Sequence, residues 1–286
     1  MSHSATIYTL IAALLKSEDL LGKGREWLAQ NPDQEKLIRK FLEHSKEITK
    51  IKEIESIASL DAKMINEFLK KRGFSIRLPE FKTQEFGVAA VLDLMVEWIL
   101  KGKRIQIQGQ NGAKYPGIHL QEEVSFFNAY DRAEPIAKIS TASDDAVYLT
   151  MANDVPTGLE LIGYASKLIS QLRYNPGYEG LQFPMVDFTN QPDLSWLIGM
   201  STTDSNGNPA VISQALQETK LRLNENGARV QDAAAMTLIR ACVTIPKKKL
   251  IINRPFLCIF TQTGLKLPLA VFHLEPDCWK DPGGLE

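Results

Sequence analysis

The sequence predicts an α+β fold in which mixed β-sheets are surrounded by helices. Apolar residues recur three and four positions apart through residues 1–58, a spacing typical of helices that pack on a core. Short apolar segments separated by turn residues fill residues 105–200 and indicate strands. Near the end of the chain, apolar runs at 257–260 and 269–274 predict a buried hairpin, with Pro268 placed just before the second run, where a strand tolerates proline.

The composition is that of an ordinary globular protein. Of the 286 residues, 44% are hydrophobic and 23% are charged, which is enough for one large core or two small ones. The formal net charge of -1 gives no general attraction to nucleic acid or to an anionic membrane. The cysteines, Cys242, Cys258 and Cys278, are odd in number and lack metal-site spacing, which argues against a disulfide framework and fits a reducing compartment.

An apolar stretch at residues 7–15 has no preceding lysine or arginine and no clear cleavage site. We therefore expect no secretory signal, and the stretch is too short to span a membrane. We interpret this stretch as a helix that packs on the core. We expect a cytoplasmic protein, or one exported without a recognisable signal peptide, with no membrane partner.

Period and turn signals divide the rest of the chain into helices and strands. The predicted helices are 6–15, 18–29, 34–51, 61–71 and 157–171. The predicted strands are 104–108, 124–130, 136–139, 147–151 and 221–223. Residues 86–100 are ambiguous on pattern alone, because their length and valine content allow a helix or a strand buried on both faces.

About two dozen residues, 228–252, separate the last of these strands from the C-terminal hairpin. Turn residues at 224–227 end the strand. Alanines follow, and Met236, Ile239 and Val243 are spaced for one helical face. Loops of this length inside a compact domain are uncommon and usually functional. The pattern alone leaves a helix, an ordinary connection and a functional loop open.

No arrangement typical of a catalytic site occurs. The histidines, His3, His44, His119 and His273, are far apart in the sequence, and none has the spacing of a zinc pair. His273 lies in an apolar strand and is expected to be a core residue with a hydrogen-bond partner. Neither a Gly-x-Ser-x-Gly elbow nor a Walker motif is present. We therefore predict no enzymatic activity, no metal and no cofactor.

The part of the chain that begins at the 224–227 turn resembles the serpin family. The turn, an alanine-bearing stretch, an exposed loop and residues 253–260, with the sequence NRPFLCIF, are similar to the serpin hinge, reactive-centre loop and C-terminal strands. Earlier segments agree in the same order. Residues 64–73 resemble the helix that crosses the main sheet, and 94–103 resemble the central strand that ends in Lys-Gly. Residues 116–139 and 145–153 are similar to the strands that lead to a short polar turn, and 181–188 with 192–200 to a strand followed by a short helix. The resemblance covers residues 60–276.

Two departures from the serpin pattern affect what the resemblance implies. Fewer than 95 residues precede Leu94, much less than the family has there, so the main sheet is expected to be narrower, with the helical residues 1–58 as its support. Val96 and Gln217 stand where the family usually has an asparagine and a histidine that form a polar latch under the sheet, and Arg104 stands in place of a tryptophan. The latch is therefore expected to be missing.

The resemblance implies a single domain, 1–286, with a serpin-like core at 59–286 and a reactive-centre loop at about 228–252. In the family a serine protease cuts this loop, whose N-terminal part then inserts between two central strands and disables the bound protease. We predict a protease inhibitor that acts as a suicide substrate. The alternative is a non-inhibitory serpin-fold protein that binds a partner protein through its loop or its helical residues 1–58.

The predicted hinge carries a charge that would oppose insertion. Its residues are Glu225, Gly227, Ala228, Val230, Asp232 and Ala234. With the two-residue period of a strand, Asp232 shares the inward face with Ala228, Val230 and Ala234. An unpaired carboxylate on that face would cost several kcal/mol, so inhibition by insertion is a hypothesis to be tested.

The scissile bond is expected within residues 240–244. Arg240-Ala241 would suit a trypsin-like protease, whose pocket pairs a carboxylate with the guanidinium, and this bond is favoured. Val243-Thr244 would suit an elastase-like protease. We expect a monomer whose partner is a serine protease or another protein, and no nucleic-acid partner.

Overall fold

Mixed β-sheets and α-helices make up the chain, which confirms the predicted α+β class. The computed structural model describes residues 1–82, 85–92, 96–130, 132–143, 145–227 and 248–285. Its backbone divides into a first unit, residues 1–5, 95–188 and 220–286, and a second unit, residues 6–94 and 189–219. That residues 1–286 fold as a single domain stays a prediction.

The described residues form four α-helices and seventeen strands, numbered along the chain. The helices are α1 (Ile7–Leu21), α2 (Pro32–His44), α3 (Ala62–Lys71) and α4 (Leu159–Ser170). The strands are β1 (His3–Ala5), β2 (Ile54–Ser59), β3 (Gly87–Leu92), β4 (Lys103–Gln108), β5 (Lys114–Leu120), β6 (Val124–Ala129), β7 (Ile136–Ser140), β8 (Ala146–Met151), β9 (Leu172–Tyr174), β10 (Tyr178–Pro184), β11 (Val186–Asn190), β12 (Ser201–Thr203), β13 (Pro209–Val211), β14 (Thr219–Leu223), β15 (Lys248–Ile251), β16 (Phe256–Thr261) and β17 (Ala270–Leu274). Within the described ranges, no helix has the length and apolar character needed to cross a membrane.

The first unit contains a seven-stranded sheet with the order β1-β17-β16-β8-β7-β6-β9, in which every neighbouring pair is antiparallel. The predicted C-terminal hairpin is confirmed, because β16 and β17 pair from Phe256 opposite Leu274 to Phe260 opposite Ala270. All five residues of β17 are buried, since β1 and β16 cover its two edges and α4 packs against it.

A four-stranded sheet in the same unit has the order β15-β10-β5-β4. β15 runs parallel to β10, whereas the other two pairs are antiparallel. One face buries Ile118, Leu120, Leu181 and Phe183, and the ring of Trp98 meets that of Phe183 edge to face with 6.2 Å between their centroids. β11 and β14 form a separate two-stranded pair. The chain before residue 228 therefore comes from β14, and the chain after residue 247 continues as β15, which is paired with β10.

The second unit combines α1, α2 and α3 with the strand pairs β2-β3 and β12-β13. The Asn31 side chain caps α2 by accepting hydrogen bonds from the N–H groups of Asp33 and Gln34 at 3.1 and 3.0 Å. Asp61 caps α3 by accepting from the Lys63 N–H at 2.9 Å. The helices predicted at 34–51 and 61–71 are confirmed, although the first ends as a short 3-10 segment, Ser45–Lys50.

Two predictions in the first hundred residues are corrected. No helix covers 18–29, because α1 ends at Leu21 before Gly22, whose φ of +93° stops a right-handed helix. β1 and β2 lie in the region that was predicted to be wholly helical. Of the helix and the strand left open for 86–100, the structure has a strand at Gly87–Leu92, β3, which pairs with β2. The central strand that the resemblance implied at 94–103 is also corrected: residues 93–95 lie outside the described residues, and residues 97 and 98 make isolated bridges alone.

A buried hydrogen-bond network ties α1 to the end of α2. Tyr8 Oη donates to Glu47 Oε2 at 2.5 Å, and His44 Nδ1 lies 3.1 Å from Glu47 Oε1. All three side chains are buried, with Tyr8 fully so. A carboxylate that is removed from water needs such partners, because its charge is costly to bury without them.

Replacing Tyr8 by phenylalanine is expected to destabilise the protein by about 1–3 kcal/mol, because the buried Glu47 carboxylate loses a donor while the aromatic ring remains. The free energy of unfolding in urea measures this loss. Tyr130→Phe is the control, since Tyr130 is 78% exposed and its hydroxyl should contribute less than about 0.5 kcal/mol. Equal losses in the two variants would contradict the role given to the Tyr8 hydroxyl.

Candidate functional site

The predicted site residues divide between described and undescribed parts of the chain. Glu225 and Gly227 are described. The remaining hinge residues and both candidate reactive bonds lie outside the described residues; these are Ala228, Val230, Asp232, Ala234, Arg240, Ala241, Val243 and Thr244. The chain is described again from Lys248. The candidate site is therefore the pair of ends that flank residues 228–247, and both ends belong to the first unit.

The first end is a tight turn that follows β14. Leu221 and Leu223 are buried on one face of this strand, as their alternation predicted. The Asn224 side-chain oxygen then accepts a hydrogen bond from the Asn226 N–H at 2.9 Å, and the Gly227 N–H donates to Asn224 O at 3.2 Å. Asparagine favours turns because its side chain bonds the backbone two residues further on. The turn ends the strand at a defined residue.

Two residues from the segment before β4 hold this turn in place. Trp98 Nε1 donates to Asn224 O at 3.1 Å, and the Gly102 N–H donates to Glu225 O at 2.7 Å. We call the hinge anchor the set formed by the turn 224–227 together with Trp98, Gly102 and Arg104. Its hydrogen bonds link residues more than a hundred positions apart in the sequence, so it forms only when the first unit is folded.

Gly227 is the tightest point of the hinge anchor. Its φ of +86° lies in the left-handed region that side chains disfavour. A Cβ added there would lie 2.5 Å from Trp98 N and 2.8 Å from Val96 O. Both are backbone atoms, so no side-chain rotation relieves the overlap. Gly227 also forms an antiparallel bridge with Glu97, and the position therefore requires glycine.

An ion pair closes the hinge anchor on its solvent side. Arg104 Nε donates to Glu225 Oε1 at 2.8 Å, and Arg104 Nη1 donates to Asp281 Oδ2 at 2.8 Å. Glu225 is buried, whereas Arg104 is largely exposed. Burial alone would raise the pKa of the Glu225 carboxyl, but the hydrogen bond and the charge of Arg104 outweigh burial and hold this pKa below its usual value. The Glu225 carboxylate is therefore charged at neutral pH, and Arg104 holds it in place.

The second end of the site is β15, which corrects the predicted extent of the loop. Leu250 lies opposite Leu181 in the parallel pair with β10, and the Lys248 N–H donates to Gly177 O at 3.1 Å. The loop was expected to extend to about residue 252. Because β15 begins at Lys248, the stretch between the two anchored ends is limited to residues 228–247.

Gln217, at one of the two positions where the latch is expected to be missing, makes a different polar contact within the second unit. Gln217 Nε2 donates to Thr6 Oγ1 at 2.7 Å and to Thr9 Oγ1 at 2.9 Å, at the start of α1. Gln217 thus makes polar contacts although it replaces the family's histidine. Val96, in the first unit, is a buried apolar residue, as its identity implies. Threonines at a helix start are common, so no sequence pattern indicates this contact.

Strand pairing brings together two histidines that are far apart in the sequence. His3 of β1 lies directly opposite His273 of β17, with 5.0 Å between the ring centroids. His273 is buried and its Nε2 lies 2.9 Å from Ala152 O, which agrees with the predicted core role. Among the residues that the structure describes, no three or more His, Cys, Asp or Glu side chains are grouped so that they could hold a metal ion.

A left-handed backbone costs a residue with a side chain about 1–2 kcal/mol. Gly227→Ala is expected to destabilise the protein by clearly more than this, because its Cβ also meets backbone atoms. Gly264→Ala is the matched control, since φ is +88° there and nothing lies within 4 Å of an added Cβ. Urea unfolding of both variants gives the comparison. A loss at residue 227 no larger than at residue 264 would show that the close approach to residues 96–98 is absent.

The Arg104–Glu225 ion pair should make stability depend on pH. The pKa of Glu225 lies below the ordinary value of 4.5 in the folded protein, so its stabilising contribution is fully present above that value and is lost as the pH falls through the folded value. The free energy of unfolding, followed from neutral to acidic pH, should therefore fall more steeply for the parent than for Glu225→Gln. When both proteins also carry Arg104→Gln, this difference in pH dependence should disappear. Equal pH dependence of the parent and Glu225→Gln would refute the ion pair.

Comparison with known proteins gives a match in structure alone. No protein-family model matches the chain, and no curated protein matches its sequence. Serpin48, described as a highly specific serpin in the insect Tenebrio molitor, matches with a TM-score of 0.53 and 11% identity, over 94% of this chain and 96% of its own. The native thermophilic serpin Tengpin matches with a TM-score of 0.58 and 10% identity, over 96% and 88%. SRPN18 from Anopheles gambiae matches with a TM-score of 0.58 and 12% identity, over 99% and 94%.

The three structures span nearly the whole chain, and all three are serpins. Their low sequence identity limits the conclusion to the backbone. The resemblance predicted from the residues is confirmed at that level: the chain has the serpin fold, in a shortened form.

Proposed function

We propose that this chain is a protease inhibitor that acts as a suicide substrate through residues 228–247. The observation that carries the proposal is that both ends of this stretch are anchored on the first unit, Gly227 in the hinge anchor and Lys248 in β15. About twenty residues lie between these ends. Such a stretch is long enough to pass through the active-site cleft of a protease, and its fixed ends would keep it attached to the inhibitor.

The proposed mechanism begins as ordinary proteolysis. The protease serine attacks one carbonyl of the stretch, forms an ester with it and releases the new amino terminus. The segment from Ala228 towards the ester then joins a sheet as an added strand and gains backbone hydrogen bonds. Because the protease is linked to the end of that segment, the movement displaces it and deforms its active site before water hydrolyses the ester.

Arg240-Ala241 is the proposed reactive bond, with a trypsin-like protease as the partner. A guanidinium is the group that the acidic pocket of such proteases accepts. Val243-Thr244, with an elastase-like protease, is the alternative bond. We further propose that the protein is a monomer. The net charge of -1 supports the absence of nucleic-acid and membrane partners. The odd number of cysteines supports a reducing compartment such as the cytoplasm.

A second candidate function is a non-inhibitory serpin-fold protein that binds a partner protein. The hinge anchor favours it, because Trp98, Gly102 and Arg104 all hold the turn that directly precedes the segment that would have to move during insertion. The inward-facing carboxylate predicted for Asp232 acts in the same direction, since an unpaired buried charge opposes insertion.

Incubation with a trypsin-like protease is expected to give a covalent complex that survives a denaturing gel. The cleaved protein should melt at a higher temperature than the intact one, because the inserted strand adds hydrogen bonds. Arg240→Ala should abolish the complex. Lys249→Ala is the control, since it removes a positive charge from β15, outside the stretch. Cleavage with neither a complex nor a rise in melting temperature would favour the second candidate.

Asp232→Ala should increase the fraction of cleavage events that end in a trapped protease, because it removes the charge that insertion would bury. The measurement is the molar ratio of inhibitor to protease needed for complete inhibition, which should fall. Asp154→Ala, an exposed change in a connection between β8 and α4, serves as the control and should leave the ratio unchanged. A ratio unaffected by Asp232→Ala would contradict the predicted inward register.

A further inference from the structure

The second unit contains a large, partly open cavity that the proposed inhibitory function does not use. Its volume is about 790 Å³, within the range of roughly 300–1,000 Å³ that is typical of small-molecule sites. The walls are formed by α1, by β3, by the segment after α3 and by the segment 208–218. All of these walls belong to the second unit, so the cavity is complete within it.

The walls of the cavity are mostly aliphatic and aromatic. Phe74 and Phe81 contribute rings from the segment after α3. Leu60, Val211 and Leu216 also line the cavity although they are 69%, 55% and 51% exposed. Exposed large apolar side chains are unfavourable in water, and several of them on the lining of one cavity are typical of a site that an apolar molecule covers.

Hydrogen bonds fix one wall of the cavity in place. The Glu218 carboxylate accepts hydrogen bonds from the Ser75 hydroxyl at 2.6 Å and from the Ile76 N–H at 3.1 Å. The Asn66 side chain accepts from the Leu78 N–H at 2.9 Å and donates to Leu78 O at 2.8 Å. The segment after α3 is therefore held at two points. A ligand would meet a cavity that is already formed, which lowers the ordering cost of binding.

The charges around the cavity select against an anionic ligand. Its charged lining residues are Glu85, Asp204 and Glu218, all acidic, and the described lining residues include no lysine, arginine or histidine. A ligand carboxylate or phosphate would be removed from water near three like charges without a cation to compensate it. The carboxylates already accept hydrogen bonds from neighbouring groups, so they need no ligand cation.

We propose that this cavity binds a small neutral apolar molecule with at most a hydroxyl as its polar group, such as a medium-chain alcohol or a hydrophobic phenol. Burial of the apolar walls and of the ligand provides the affinity. Walls on several sides fit a small molecule, whereas a partner helix or strand needs a groove that is open along its length. The proposal is independent of the protease-inhibitor function.

Titration with the neutral dye Nile red tests the proposal on the full-length protein. Fluorescence should increase and saturate at one dye per chain. Decanol should displace the dye, while decanoate, which has the same chain length and a negative charge, should need a concentration at least about tenfold higher, a difference of about 1.4 kcal/mol. Failure of the dye to saturate, or equal displacement by the alcohol and the carboxylate, would overturn the proposal.

Two cavity-filling variants locate the binding. Ala13→Trp on α1 and Ala215→Trp on the 208–218 wall should each reduce dye affinity at least about tenfold. Ala113→Trp, at an exposed position outside the lining, is the control and should bind like the parent. Circular dichroism and thermal melting establish which variants are folded. Unchanged dye binding in a folded filling variant would place the dye elsewhere and overturn the assignment, and the alcohol–carboxylate comparison on the parent remains decisive if neither variant folds.

Discussion

The close approach of Gly227 to the backbone of residues 96–98 is the constraint on which the candidate site depends. A positive φ and two backbone atoms within 2.8 Å of any added Cβ exclude every other residue without rearrangement. Because the turn is fixed there, the chain that follows β14 is held at one defined point of the first unit as far as Gly227. The parallel strand β15 fixes the other end in the same unit, so that the two anchors delimit the stretch from opposite sides.

Buried carboxylates are compensated in the same way in both units. In the first unit, Glu225 receives a hydrogen bond and a positive charge from Arg104. In the second, Glu47 is bonded by Tyr8, and Glu218 is bonded by the Ser75 hydroxyl and backbone. Each partner comes from a distant part of the sequence. Such contacts contribute specificity as well as stability, because an unpaired carboxylate left behind by misfolding would be strongly unfavourable.

Local features of the fold could be predicted from the sequence, whereas pairings between distant residues could not. The hairpin of β16 and β17, the strands near residues 104–151 and the capped helices follow from alternation, helical spacing and capping residues. The pairing of β1 with β17, the parallel placement of β15 and the pairing of β2 with β3 depend on partners that periodicity does not encode. At the site, the turn at 224–227 that contains Gly227 could be predicted from its residue types. The Arg104–Glu225 pair was missed, because two ordinary charges 121 positions apart carry no pattern.

The positions of the strands after residue 247 determine what happens to the protein when the chain is cut between the two anchors. β16 lies in the interior of the seven-stranded sheet, bonded on one edge to β8 and on the other to β17, while β15 belongs to the second sheet of the same unit. A nick between the anchors would therefore free no fragment: both pieces would stay in one particle, heavier only by the water added in hydrolysis, until a denaturant separated them. The same geometry makes the nicked position a natural break for fragment complementation, in which a short C-terminal peptide completes two sheets that the longer piece leaves unfinished.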